Sequence, residues 1–158
     1  MDSNVTRAIC VLNNEQLGIK GLAKLEQEGD ITKIWITFTG LKPGKHAFHI
    51  HEFGNLTNAC ATAGGHYNPI SREHGGPNDE ERHVGDLGNI EADESGNATA
   101  YFEDKLIKLT GEHSVIGRSC VCHEGEDDLG RGGFPDSKTT GHAGGRIACG
   151  IIGITQTF

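Results

Sequence analysis

Apolar and polar side chains alternate with a period of two in the first third of the chain. Between residues 31 and 39, Ile34, Ile36 and Phe38 fall on one face of an extended backbone, because successive side chains of a strand point to opposite sides. A helix would instead repeat its apolar residues every three or four positions. The segment therefore predicts a strand with one buried face.

Residues 17–26 alternate in the same way, with a predicted buried face formed by Leu17, Ile19, Ala23 and Leu25. Other short β-rich segments lie at residues 7–12, in a run through His49, and at 87–92, 98–104, about 114–123 and 146–154. Turn residues separate these segments, and none has a convincing helical period. The pattern predicts an antiparallel β-sandwich or Greek-key barrel of about eight strands.

Length and charge restrict the class of protein. The 158 residues suffice for one domain spanning 1–158, and 35% of them are apolar, with no continuous apolar run long enough for a transmembrane helix. The net charge of −8 disfavours nucleic acid and anionic membranes as partners. The N-terminal residues lack a basic segment followed by an apolar one, so we expect a cytoplasmic protein.

Two long segments interrupt the strand pattern, at about residues 54–86 and 124–146. Both are rich in Gly and charged residues, and neither shows a strand or helix period. A loop of some thirty residues inside a compact domain needs something to organise it. A metal ion, a disulfide or both could serve.

Histidines are distributed as if to form a metal site. His49 and His51 are two apart on a predicted strand, so their rings share one face. Further candidate ligands are His66, His74, His83 and Asp86 in the first loop and His123 at the end of a late strand. Three His and one Asp suit Zn²⁺, whereas a site made only of His suits copper, zinc or iron, and spacing does not choose between them. Any one of these histidines could instead be an ordinary solvated side chain.

There are five cysteines, an odd number that leaves at least one thiol unpaired within the chain. In a cytosolic protein, free thiols are the first expectation.

Several of these segments together resemble the eukaryotic intracellular copper/zinc superoxide dismutases. Residues 44–54 are similar to the first signature of that family and residues 145–153 to the second, and 65–69, 74–77, 80–89 and 123–130 fit between them. The resemblance extends from about Thr6 to Gln156. It implies an immunoglobulin-like, eight-stranded antiparallel Greek-key sandwich or barrel with two long functional loops.

The resemblance also implies a role for each candidate ligand. The implied copper ligands are His49, His51, His66 and His123, and the implied zinc ligands are His66, His74, His83 and Asp86. His66 would then bridge the two metals, and Asp127 would link one histidine of each metal. His46 points away from His49 and His51 by alternation, so we interpret it as a packing or hydrogen-bonding residue.

The implied reaction converts two superoxide ions into dioxygen and hydrogen peroxide, with copper alternating between oxidation states and His66 carrying a proton. Arg146 is the implied substrate-guiding residue, and Lys138 either adds to a local positive field or is an ordinary solvated lysine. A Cys60–Cys149 disulfide is also implied, which overrides the expectation of free thiols for this pair.

Partners are implied as well: a second copy of the chain and a copper chaperone for metal loading. The implied homodimer contact consists of Phe53, Gly54, Ile116, Gly117, Ile151 and Ile154, which could alternatively be core residues of each subunit.

Two other functions remain alternatives at this point: a non-enzymatic metal-handling protein of the same fold, and a zinc hydrolase. The presence of every implied ligand residue and of Arg146 favours the dismutase over the former, and no motif positions a general base for the latter. The chain departs from the family pattern at Phe134-Pro135-Asp136 and at His142, where the field near the site could differ.

Overall fold

A computed structural model describes residues 6–158. Met1–Val5 lie outside the described residues, and with them most of the segment on which the expectation about a secretory leader rests. Within residues 6–158, no helix has the length and apolarity that a membrane crossing requires.

The described residues form ten strands and one helical turn. They are β1 (Arg7–Val11), β2 (Lys20–Glu28), β3 (Ile31–Thr39), β4 (Gly44–His51), β5 (Thr57–Cys60), β6 (Asp86–Ala92), β7 (Ala98–Asp104), β8 (Ser119–His123), α1 (Ser137–Thr140), β9 (Arg146–Ile151) and β10 (Gly153–Ile154).

Nine of these strands form one antiparallel sheet in the order β10-β1-β2-β3-β7-β6-β4-β8-β9. Its two end strands, β9 and β10, follow each other in the chain, so the sheet curls round until β1 also lies against β9. The approach is close, because a Cβ at Gly150 would lie 2.0 Å from the Val11 carbonyl oxygen. The prediction of an all-β antiparallel Greek-key barrel is therefore confirmed.

The core follows the predicted alternation in β3, where Ile34, Ile36 and Phe38 are buried. In the preceding segment the prediction was wrong for Leu17, which is 56% exposed. Leu17 precedes β2 and lies in a turn whose ends, Asn14 and Ile19, pair as an isolated bridge. The predicted strand therefore begins too early, because residues 14–19 form a turn and β2 starts only at Lys20.

The other departures lie in or beside the loops. β5 is a short strand inside the first loop, α1 is one helical turn inside the second, and Ile152 divides the last predicted strand into β9 and β10. The strand predicted from about residue 114 begins only at Ser119, because a turn precedes it, with the Arg118 N–H donating to the Val115 carbonyl at 3.1 Å.

The first loop returns to strand β4, which lies between β6 and β8, and forms backbone hydrogen bonds with it. The Tyr67 N–H donates to the Ile50 carbonyl at 2.8 Å, and the Ile50 N–H donates to the Gly85 carbonyl at 2.9 Å. A Cβ at Gly85 would lie 2.1 Å from the Ile50 oxygen, so only glycine permits this contact. The loop thereby lies beside the end of β4 that carries His49 and His51.

A Cys60–Cys149 disulfide joins β5 to β9 across 89 positions of sequence. This agrees with the resemblance and corrects the expectation, based on compartment alone, that these two thiols are free. Cys10, Cys120 and Cys122 are free and buried.

Candidate metal centre

Four histidines converge beneath the first loop, and we call them the four-histidine set. Strand β4 carries His49 and His51, β8 ends at His123, and His66 joins them by an isolated bridge to His51. One ring nitrogen from each residue lies within 4.8 Å of the others, and all four rings are buried.

The ring nitrogens that point into the four-histidine set have no hydrogen-bond partner. These atoms are His49 Nδ1, His51 Nε2, His66 Nε2 and His123 Nε2. Polar atoms buried without a partner are rare in proteins and call for an explanation. Four such nitrogens at one point fit a bound metal ion.

The opposite ring nitrogens explain why the inward ones are free to bind a cation. His51 Nδ1 lies 2.9 Å from the Gly64 carbonyl, and His123 Nδ1 lies 3.1 Å from the Gly144 carbonyl. Since a carbonyl only accepts, each Nδ1 carries the proton, and Nε2 of the neutral ring is left with a lone pair. The backbone therefore selects the tautomer that can ligate.

A second group, the carboxylate set, consists of His66, His74, His83 and Asp86. His66 Nδ1 lies 3.2 Å from His83 Nδ1 and 2.9 Å from Asp86 Oδ1. His74 Nδ1 lies 2.9 Å from Asp86 Oδ2, and His83 Nδ1 lies 3.3 Å from Asp86 Oδ1. Ligands about 2.0–2.1 Å from a tetrahedral Zn²⁺ are themselves about 3.3 Å apart, so these separations fit one small cation.

The two sets are contiguous. His66 presents Nε2 to the four-histidine set and Nδ1 to the carboxylate set. A nitrogen of His49 also lies within 4.8 Å of ligand atoms of His66, His74 and Asp86, a grouping that leaves out His83. The shorter contacts of His83 Nδ1 with His66 and Asp86 place it in the carboxylate set.

Burial lowers the proton affinities of the four-histidine set, whereas hydrogen bonds to carboxylates raise that of His74 in the carboxylate set. Burial holds the pKa values of His49, His51 and His66 below their usual range and lowers the pKa of His123 to about 4. At His74, hydrogen bonds with Asp127 and Asp86 outweigh burial and raise the pKa to about 9. Hydrogen bonds from three histidines outweigh burial at Asp86 and hold its pKa well below the usual range.

Asp127 connects the sets from behind. Its Oδ2 lies 2.6 Å from His49 Nε2, and its Oδ1 lies 2.7 Å from His74 Nε2. Both of those nitrogens therefore donate, which leaves Nδ1 of each ring unprotonated when the ring is neutral. A Cβ at Gly141 would lie 2.1 Å from Asp127 Oδ1, so only glycine fits beside this carboxylate.

Asn89, for which the sequence predicts no role, holds Asp127 in place. Its side chain donates to the Asp127 carbonyl at 3.0 Å and accepts from the Asp127 N–H at 2.7 Å. One feature of the sequence could have indicated this role: Asn89 lies within strand β6, and asparagine is uncommon in strands.

The remaining buried histidine, His46, lies outside both sets. Its Nδ1 lies 2.9 Å from the His123 carbonyl and its Nε2 lies 2.7 Å from the Lys42 carbonyl. Its contacts are those expected of a hydrogen-bonding residue beside a ligand strand.

A pocket of about 660 Å³ opens onto the two sets. Its lining includes His51, His66, His83, His123, Arg72, Glu73, Asp136, Lys138 and Arg146. The Arg146 Nη1 donates to the Cys60 carbonyl at 2.9 Å, so the first loop holds this guanidinium at the mouth of the pocket. The Lys138 side chain is 71% exposed and its Nζ lies 3.7 Å from Glu73 Oε2.

The residues that depart from the family pattern form a small exposed cluster on the second loop. The His142 ring stacks on Phe134, with centroids 3.8 Å apart, and its Nδ1 lies 2.7 Å from Asp136 Oδ1. This contact lowers the pKa of Asp136.

The implied dimer contact is a surface patch. Phe53, Ile151 and Ile154 are 50%, 48% and 64% exposed, so they are not core residues of the chain. Gly54 joins them, because a Cβ there would lie 2.0 Å from the Gly117 oxygen and 3.4 Å from the Ile151 side chain. Ile116 is half-buried.

Comparison with known proteins identifies a family and a similar relative. The family model described as Copper/zinc superoxide dismutase (SODC) matches residues 19–152. The chain is similar to superoxide dismutase (Cu-Zn) 5 of Dictyostelium discoideum, with 50% identity over 151 residues that cover 94% of this chain and 98% of the relative.

Proposed function

The chain belongs to the copper/zinc superoxide dismutase family, and we propose how its residues divide the chemistry of that family between them. The protein is an oxidoreductase that acts on superoxide, with copper and zinc as cofactors. This favours the dismutase over the two alternatives considered from the sequence. The organisation as a single domain over 1–158 remains a prediction.

In this proposal the four-histidine set holds copper. The observation that carries it is the convergence of four buried, unpartnered nitrogens, of which His51 Nε2 and His123 Nε2 are held free by carbonyl contacts on the opposite ring atom. Imidazole nitrogen is a good ligand for copper, and neutral rings are the form that binds.

The carboxylate set holds zinc. Three nitrogens and one carboxylate oxygen are the donors of a closed tetrahedral zinc site. His74 Nδ1 and Asp86 Oδ2 lie only 2.9 Å apart. Two lone pairs that close repel each other unless a cation or a proton lies between them, so the arrangement favours a bound ion.

When bound, copper supplies a one-electron couple that oxidises one superoxide ion and reduces a second, while zinc supplies positive charge without redox chemistry. While His66 Nε2 is not bound to copper, it can hold a proton for the peroxide product. Asp127 fixes the rings of His49 and His74 through charge-assisted hydrogen bonds, which keeps the ligating nitrogens aimed inward.

Arg146 guides superoxide to the pocket. The protein has a net charge of −8, so an anion is attracted only where positive charge is concentrated. Arg146 lies at the mouth, and its one hydrogen bond goes to a carbonyl, which leaves its charge uncompensated. Lys138 contributes less, because it is exposed and Glu73 lies beside it.

The chain forms a homodimer through the patch of Phe53, Gly54, Ile116, Gly117, Ile151 and Ile154. Phe53, Ile151 and Ile154 are exposed, and Gly54 lies against Gly117 and Ile151. Exposed apolar patches mark protein interaction sites, and a two-fold contact pairs such a patch with itself. A copper chaperone loads the metal. The cytoplasm is the proposed compartment, and the three free thiols Cys10, Cys120 and Cys122 are consistent with a reducing environment.

Metal analysis combined with superoxide decay kinetics tests the division of residues. The protein should contain about one copper and one zinc per chain. His51→Gln should lose copper and activity but keep zinc, and His83→Gln should lose zinc first. His113→Gln, which changes a histidine outside both sets, is the control. Loss of the same metal in both variants would contradict the assignment.

A further inference from the structure

We propose that the Arg82–Asp104 ion pair is a positioning device for the zinc ligand His83. The inference rests on the assignment of the carboxylate set to zinc. Neither residue touches the ligand atoms of that set, so both act through the backbone that carries His83.

Arg82 is the largest fully buried side chain in residues 6–158, with 2% exposure. All five of its N–H donors are used. Nε donates to the His83 carbonyl at 3.0 Å, Nη1 to the Pro77 carbonyl at 2.8 Å, and Nη2 to the Val84 carbonyl at 2.7 Å. The other two donate to Asp104, at 2.6 and 3.3 Å. A guanidinium has five donors in a fixed plane, so no donor is left over.

The three carbonyls belong to the closing part of the first loop, on both sides of His83. The carboxylate belongs to the end of β7, on the half of the barrel that contributes no metal ligand. Asp104 is itself held, because its Oδ2 also accepts from the N–H groups of Leu106 at 3.0 Å and Ile107 at 2.9 Å. The pair therefore anchors the loop to a rigid part of the fold.

The backbone N–H and the backbone carbonyl of His83 are both held by hydrogen bonds. Its N–H donates to Asp86 Oδ2 at 2.8 Å, and its carbonyl accepts from Arg82 Nε. With both backbone groups fixed, the ring can hold Nδ1 within 3.3 Å of Asp86 Oδ1. A ligand supported in this way loses little freedom when the metal binds, whereas an unsupported one must be ordered by the metal.

Lysine cannot replace Arg82 in this role. Its ammonium group has three donors and no fixed plane, so it could pair with Asp104 but not reach the three carbonyls as well. An ion pair that served stability alone would tolerate that replacement better than a positioning device would. This difference separates the two roles.

The test uses Arg82→Gln, Arg82→Lys and Asp104→Asn. The control is Ile36→Ala, which destabilises the core in the half of the barrel that carries no metal ligand. Zinc affinity is measured by competition with a chromogenic chelator, at a temperature where each variant is folded. Cobalt is then placed in the carboxylate set, since its visible spectrum reports tetrahedral geometry.

We expect zinc affinity to fall about tenfold or more in all three Arg82 and Asp104 variants. Their cobalt spectra should lose tetrahedral character, and copper affinity of the four-histidine set should change much less. Ile36→Ala should keep zinc affinity and spectrum despite its lower melting temperature. If Arg82→Gln does not fold, Asp104→Asn and Arg82→Lys suffice for the comparison.

Unchanged zinc affinity in Arg82→Lys and Asp104→Asn would overturn the inference, and so would an equal loss in Ile36→Ala. Failure of the unmodified protein to bind zinc at the carboxylate set is a distinct result, because it would contradict the proposed function itself.

Discussion

The four-histidine set and the carboxylate set share His66 but are supported by different parts of the fold. Three members of the first, His49, His51 and His123, lie on the paired strands β4 and β8. In the second, His74 and His83 lie in the first loop, and Asp86 is the residue at which β6 begins. The backbone ladder holds one set, whereas side-chain hydrogen bonds and a disulfide hold most of the other.

The sets also differ in how they treat charge. Burial makes the four-histidine set a poor proton acceptor, so it is ready to bind a cation near neutral pH. In the carboxylate set, the contacts of His74 with Asp86 and Asp127 raise its pKa, so without a metal this ring holds an additional proton near neutral pH. Strand geometry and burial make the four-histidine set ready to bind a cation, whereas negative charge does so in the carboxylate set.

Replacing a ligand in each set gives the largest expected difference. His123→Ala should reduce dismutation by at least about a hundredfold, because it removes a copper ligand. Its melting temperature with zinc bound should change little, since β8 keeps its pairing with β4 and β9. His83→Ala should lower the melting temperature more and retain more activity per bound copper.

Stopped-flow superoxide decay, metal content and calorimetry measure these effects, with His113→Ala as the control. Equal losses of activity and stability in the two variants would mean that the sets are not separately supported.

The disulfide links the two kinds of support, because Cys60 lies in the loop and Cys149 in β9. Cys149→Ser should lower the free energy of unfolding by about 2–5 kcal/mol, since the bond closes a long segment of chain. It should also weaken zinc binding more than copper binding. Denaturant unfolding and metal competition measure the two effects. A variant that keeps full zinc affinity would show that the loop does not depend on this bond.

Arg146 tests whether the pocket mouth acts by charge. Arg146→Glu should slow the reaction about tenfold or more at low salt, because the steering of an anion is reversed. The rate of the unmodified protein should fall as salt is added, whereas that of the variant should not. Lys138→Glu should have a smaller effect, given its exposure and its Glu73 neighbour. An unchanged rate for Arg146→Glu at low salt would locate the steering elsewhere.

The sequence predicted the strand-borne part of the protein better than the loop-borne part, and the reason is physical. Alternation identified Ile34, Ile36 and Phe38 as core and placed His49 and His51 on one face, because the period of a strand is a local property. It failed at Leu17, where a turn had not yet given way to β2.

Loop contacts depend on partners that are distant in the chain. Arg82 and Asp104 are 22 positions apart and Asn89 and Asp127 are 38 apart, so no local pattern indicates either pair. The identities of the ligands came from resemblance to a family. The tautomers of His51 and His123 depend on the Gly64 and Gly144 carbonyls, which only the folded structure places next to these rings.

The smallest expected effect is a difference in the pH dependence of metal binding. The pKa of His74 is about 9 in the metal-free protein, so at pH 7 its ring carries a second proton that zinc must displace. Zinc affinity should therefore rise about tenfold per pH unit below pH 9 and level off above it. The pKa of His123 is about 4, so the ring is neutral well above this pH and its protonation should no longer affect copper affinity there.

Calorimetric titrations in two buffers of different ionisation enthalpy count the protons released. We expect about one proton per zinc at pH 7 and fewer per copper added to the zinc-loaded protein. Asp127→Asn removes a carboxylate that holds the His74 proton, so it should shift the levelling of zinc affinity to lower pH. Equal proton release for both metals would mean that the buried histidines on the strands are protonated as readily as those in the loop. The two sets would then not differ in charge in this way.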